Sequence, residues 1–190
     1  MIALGVDPGL TGAVAAACSR RGLLDVASLP TMPNGAGPDA TVRKKVDARA
    51  LSALLTAWST RHAFHGEHVI GAVERMLALP PNPAGGRRQA NPTALLSMGH
   101  SAGACEAVLV HFCHGVLTPT PQQWKRTYGL AGVKDGAKAD AVEVARRLFV
   151  STPSRFRHDL AEAALIAHWA LGSVNGPAVA PATTEECAFP

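Results

Sequence analysis

Four acidic residues stand where acids are unusual. Asp7 closes the apolar run Ile2–Val6, and Glu74 closes the apolar run Val69–Val73. Asp159 and Glu162 lie at the start of the apolar segment 157–171, at the i,i+3 spacing that shares one face of a helix. If the segment carrying the last two crosses the strand ends carrying the first two, four carboxylates converge. Such a group does not persist as bare anions, because like charges a few ångströms apart raise each other's pKa unless a cation sits among them. Oxygen donors without Cys or His pairs suit Mg²⁺ or Mn²⁺. Two such ions about 4 Å apart stabilise both the attacking water and the leaving oxygen of a phosphodiester. The chemistry is then metal-assisted cleavage of a nucleic-acid strand, leaving a 5′-phosphate and a 3′-hydroxyl. Each acid also has a structural reading. Asp7 can cap the turn at Pro8-Gly9, Glu74 can pair with Arg75 or another base, and Asp159 and Glu162 can favour a helix N-terminus.

The elements that must position these acids follow from periodicity. Residues 2–6, 12–17 and 23–29 read as strands, with Ser19-Arg20-Arg21-Gly22 as a hairpin. Residues 30–42 are rich in Pro, Gly and Asn and read as a loop. A helix spans 46–61, with Leu51, Leu54, Leu55 and Trp58 at 3–4 spacing and Asp47 in its first turn. Residues 68–73 read as a fourth strand. Residues 77–92 hold four prolines and two adjacent glycines, a long basic loop. An apolar helix from 92 or 93 to 113 follows, then a fifth strand at 115–119. Pro121 opens a short helix ended by Gly129. Helices at 137–149 and 157–171 complete the domain 1–172, and 173–190 read as a flexible tail. Strands one to three form an antiparallel meander, while the fourth and fifth need helical crossovers and lie parallel to the first. The expectation is an α/β fold with a mixed five-stranded sheet flanked by helices.

Composition narrows the partners. The chain has 190 residues, of which 47% are hydrophobic, enough for a core without disulfides or metals as staples. No apolar stretch is long enough for a membrane span, and the N-terminus has no signal-peptide pattern. The net charge is +4, and the bases are clustered. Residues 122–158 hold eight bases against three acids, and residues 75–101 hold three Arg and no acid. Clustered bases suit a polyanion, most simply nucleic acid. The four cysteines (Cys18, Cys105, Cys113, Cys187) show no C-x-x-C pair and read as free thiols, which with the missing signal places the chain in a cytoplasm.

The motifs, taken in order, resemble those of RuvC-type Holliday junction resolvases, which have an RNase H-like fold. Asp7-Pro8-Gly9-Leu10-Thr11-Gly12 is similar to the family's opening, and Val73-Glu74 matches its second acid. The Gly/Ala/Ser-rich segment 97–109 resembles the helix that follows there. Pro119, Trp124-Lys125, Gly129-Leu130, Lys134-Asp135 and Leu148-Phe149 resemble the phage-type branch, and His158-Asp159-Leu160-Ala161-Glu162-Ala163 the closing motif. The resemblance covers about residues 1–172. It implies cleavage of branched DNA by paired nicks, with two Mg²⁺ ions per site for which Mn²⁺ substitutes. Asp7 would bridge both ions, Glu74 would bind the one that activates water, and Asp159 and Glu162 would complete the sites. Glu162 stands where Asp is common, and His158, at i,i+4 from Glu162, is an alternative ligand to Asp159. Arg87, Arg88 and Gln89 would contact backbone phosphates at the junction, with Lys125, Lys134 and Lys138 along the DNA arms. Trp124 reads as core. A four-way junction is two-fold symmetric, so the partner set is branched DNA and a second copy of the chain, with the small-residue helix 95–110 as the candidate dimer face.

Two other classes compete. Asp-x-Gly-x-x-Gly also opens sugar kinases and actin-like ATPases, where a glycine-rich hairpin holds ATP phosphates, although those proteins need two copies of the fold. A non-catalytic branched-DNA-binding module on the same fold is the other. Four anions facing a phosphate give such a module no advantage.

Overall fold

The computed structural model describes residues 1–37, 40, 42–76, 92–131 and 137–175. Its centre is a five-stranded sheet of β1 (Ile2–Asp7), β2 (Ala13–Cys18), β3 (Gly22–Ser28), β6 (Val69–Val73) and β7 (Gly115–Leu117), in the order β3-β2-β1-β6-β7. Strands β1, β2 and β3 are antiparallel neighbours, and β6 and β7 run parallel to β1. This is the mixed sheet expected from the sequence. Five helices flank it: α1 (Ala48–Arg61), α2 (Pro92–Leu109), α3 (Pro121–Thr127), α4 (Ala137–Leu148) and α5 (His158–Asn175).

The strands alternate strictly, and each face has its own core. Ile2, Leu4, Val6, Val14, Val69 and Val73 pack with Leu51, Leu55 and Trp58 of α1 and Cys105 and Leu109 of α2. Ala3, Ala13, Ala15, Ala17, Ile70 and Ala72 pack on the other side with α4, α5, Trp124 and Leu130. The second face is lined by alanines because α5 runs directly across it. Residues Leu160–Ala167 are buried on every side of that helix, so it is a central helix and not an amphipathic surface one.

Several boundaries differ from the sequence reading. The segment expected as a loop at 30–42 opens with β4 (Thr31–Pro33), which pairs antiparallel with β5 (Lys44–Val46) as a separate ribbon. Three-residue strands rich in Pro and Lys carry too little periodicity to read. Asp47 is the N-cap of α1, its side chain accepting from the Ala50 amide at 2.9 Å, so it lies one residue outside the first turn. α2 ends at Leu109 instead of Cys113, and α5 runs to Asn175, past the expected start of the tail. Among the described residues no helix is long and apolar enough to cross a membrane.

Candidate active site

The strand period brings the first two acids together. In the parallel pair β1–β6, Val6 lies opposite Val73, and the Glu74 amide donates to the Val6 carbonyl at 3.0 Å, so the ladder continues to the next pair, Asp7 and Glu74. Asp7 has the parity of Ala3, and Glu74 that of Ile70 and Ala72, so both belong to the face covered by α5. Asp7 Oδ1 also accepts from the Gly9 amide at 3.1 Å, which makes it the turn cap as well. Gly12 closes this hairpin, its amide donating to the Gly9 carbonyl at 2.8 Å. A Cβ on Gly12 would stand 2.1 Å from the Asp7 carbonyl oxygen, so the last glycine of Asp-x-Gly-x-x-Gly has a steric reason independent of any nucleotide.

The second pair of acids arrives on α5. A Cβ on Gly5 would lie 2.3 Å from the Ala167 nitrogen and 2.4 Å from the Ala163 oxygen, so helix backbone touches strand backbone at this point. That approach sets the N-terminal turns of α5 over the ends of β1 and β6. Glu162 is 8% exposed there, and Glu74 is 9% exposed. The helix α3 closes the same side. Its buried Trp124 donates from Nε1 to Glu74 Oε1 at 3.0 Å. Its Lys125 places Nζ 2.7 Å from Glu162 Oε1 and 5.0 Å above the Trp124 ring centroid. The sequence reading placed Lys125 along the DNA arms and Trp124 in the core without a polar role. The indole donor at Glu74 was missed, although a buried indole N–H demands an acceptor.

The acids influence one another. Burial pushes the Glu74 carboxyl up to about 7, with the charges of Asp7 and Glu162 adding to the rise and the Trp124 bond and Lys125 opposing it. Burial likewise raises Asp7, opposed by the Gly9 amide, with Glu162 and Asp159 raising it further and His158 opposing. The acids on α5 have basic partners. His158 Nε2 lies 3.2 Å from Glu162 Oε2. Arg157 spans from Asp159 Oδ2 to Ser28 Oγ, 3.0 Å from each. All four acids are coupled through Asp7 and Glu162, and those on α5 also have basic partners. Asp7, Glu74 and Glu162 share one corner, Asp159 lies near enough to raise Asp7 while also pairing with Arg157, and His158, the alternative ligand to Asp159 in the sequence reading, lies against Glu162.

As placed, no three His, Cys, Asp or Glu side chains among the described residues form a ready-made metal cage. Glu162 Oε1 faces the Lys125 ammonium, Glu162 Oε2 faces the His158 ring, and Asp159 Oδ2 faces Arg157. The donor set nonetheless fits a hard divalent cation. It consists of carboxylates, of which buried Glu74 and half-buried Asp7 are raised by desolvation and by their neighbours, a cost that a cation reverses. Arg87, Arg88, Gln89 and Lys134 lie outside the described residues, as does the side chain of Lys138 on α4. Cys18 and Cys105 are buried free thiols, and Cys113 is a half-buried one. Burial pushes Cys105 and Cys113 up to about 12, so neither is a ready thiolate nucleophile.

No family model matches the chain, and no curated protein matches it. Solved structures do. Thermus thermophilus RuvC in complex with a Holliday junction substrate superposes with a TM-score of 0.51 at 18% identity, covering 88% of this chain and 90% of that one. A second Thermus thermophilus RuvC structure gives a TM-score of 0.48 at 22% identity, covering 90% and 97%. The sheet order, the crossing of α5 over β1 and the first of these superpositions agree, and the chain is RuvC-like in fold, an α/β protein of the RNase H-like kind.

Proposed function

We propose that this protein is a metal-dependent, structure-selective endodeoxyribonuclease that resolves four-way junctions or other branched DNA by paired nicks. The observation that carries this reading is the buried corner where Asp7, Glu74 and Glu162 meet at the ends of adjacent parallel strands, each acid raising another's pKa or raised by it. The likeness in fold to a RuvC bound to a Holliday junction supports the substrate class. Asp7, Glu74, Asp159 and Glu162 would hold Mg²⁺ or Mn²⁺, with His158 as the alternative to Asp159. Cations bound there supply a polarised phosphodiester and an activated water.

The chain's own residues do the rest. Burial beneath α5 and α3 keeps bulk water from Glu74, and Lys125 pairs with Glu162 at 2.7 Å. Arg87, Arg88, Lys134 and Lys138 serve in this reading as phosphate contacts on their charge, and Gln89 on its place beside them in the sequence. Symmetric cuts need two sites, so the active form is a homodimer. Helix α2 offers the face. Leu96 is 77% exposed and Val110 59% exposed, and a Cβ on Gly99 or Gly103 between them would meet nothing within 4 Å.

The test is cleavage of a labelled synthetic four-way junction with Mg²⁺ or Mn²⁺, beside a linear duplex of the same sequence. Wild type is expected to make paired, symmetric nicks in the junction and none in the duplex. Asp7→Asn is expected to lose about 10³-fold or more, the worth of several kcal/mol of transition-state stabilisation. Junction binding without cuts in either metal would replace this reading with the non-catalytic binding module.

A further inference from the structure

Resting on the nuclease reading, we propose that Trp124 is a positioning residue that holds the Glu74 carboxylate in one orientation for metal binding without consuming its charge. The indole is fully buried, and its Nε1 donates to Glu74 Oε1 at 3.0 Å across 50 residues of sequence. No hydrogen bond or ion pair among the described residues engages Oε2, so the bond fixes the rotation of the carboxylate and leaves one oxygen open. Glu162 stands differently, with Lys125 and His158 on its two oxygens. A neutral donor orients an anion and leaves its full charge available to a cation. A cationic donor competes with that cation.

The rest of the corner holds the indole still. The Arg75 amide donates to the Pro119 carbonyl at 2.7 Å, which stitches the chain just after Glu74 to the chain just before α3. Helix α3 starts with a reciprocal capping box, in which the Thr120 side chain accepts from the Gln123 amide and the Gln123 side chain accepts from the Thr120 amide. Beyond its other end, the Tyr128 hydroxyl donates to the Leu165 carbonyl of α5 at 3.1 Å. The Trp124 donor is therefore referenced to β6 and to α5, the two elements whose acids must meet. A glutamate has three side-chain rotors to order, so a fixed donor removes entropy that metal binding would otherwise have to overcome.

The opposite dependence, with Glu74 present only to satisfy the indole, makes a different prediction, and a double-mutant cycle separates the two. Mn²⁺ binding to the metal-free full-length protein is measured by calorimetry for wild type, Trp124→Phe, Glu74→Gln and the double variant. Because Trp124→Phe also changes volume, a fifth protein carries benzothienylalanine at 124, which keeps the ring shape and replaces N–H by sulfur. Circular dichroism and melting verify that each is folded. Trp124→Phe and the benzothienyl protein are expected to weaken Mn²⁺ binding about 10-fold or more, in the range of lost outer-sphere partners. In the Glu74→Gln background, Trp124→Phe is expected to change Mn²⁺ binding little further. Unchanged affinity in the benzothienyl protein, or equal weakening with and without Glu74, would overturn the inference. A folded wild type that binds no Mn²⁺ would sink the nuclease reading itself, a separate and recognisable outcome.

Discussion

Glu74 is an acid placed where its charge is costly. Its carboxyl is raised from 4.5 to about 7, mainly by burial. Between those values the folded chain holds a proton that the unfolded chain has released, so ionising Glu74 lowers stability as pH rises through that window. The raised Asp7 has the same sign. Metal-free Glu74→Gln is therefore expected to melt above wild type at pH 8, by up to about 3 kcal/mol for a rise from 4.5 to about 7. The gap closes toward pH 4.5. Mg²⁺ added at pH 8 is expected to reverse the order, since a cation rewards the ionised acid and not the amide. Melting curves at the two pH values, with and without Mg²⁺, check both statements. A Glu74→Gln protein less stable than wild type at pH 8 without metal would show that burial is not costing the carboxylate what its environment implies.

Two contacts between elements set the corner. One is the approach of α5 to β1 at Gly5, where there is no room for a side chain. Gly5→Ala is expected to cost about 1–3 kcal/mol as an overpacked contact. It is also expected to lower junction cleavage by more than the unfolded fraction explains, because relief comes from sliding α5 and with it Asp159 and Glu162. Thermal melting and cleavage at a temperature where both proteins are folded separate the two effects. The other contact is the start of α3. Thr120→Ala removes the acceptor for the Gln123 amide and is expected to cost about 1 kcal/mol. Its effect is expected to reach the site as weaker Mn²⁺ binding, since α3 carries both Trp124 and Lys125.

For the whole molecule, the open face of α2 is the feature that one copy leaves unused. A double variant, Leu96→Lys with Gly103→Glu, is expected to shift the protein from dimer to monomer in sedimentation without lowering its melting temperature as a monomer. On a junction it is expected to turn paired nicks into single, uncoordinated ones. A wild type that sediments as a monomer at tens of micromolar would remove the dimer from the reading.

Much of this architecture is legible in the residues alone. The five sheet strands, the antiparallel and parallel pairings and the five helices all follow from period and from turn residues, with ends off by a few positions. What escaped was short or reciprocal. The β4–β5 ribbon has three residues a side, and Asp47 differs from a first-turn acid only by where its backbone leaves the helix. The sequence by itself determined that Asp7 and Glu74 each end an apolar strand and that a helical crossover can lay those strands parallel; their adjacency and the register that puts both acids on one face came with the tertiary structure. It also determined that Asp159 and Glu162 share a helix face. Tertiary structure alone decided what meets those acids: Trp124 on Glu74, Lys125 and His158 on Glu162, Arg157 on Asp159. Periodicity is a local property of the chain. Ionisation and pairing depend on distances and burial that exist only once α3 and α5 have closed over the sheet.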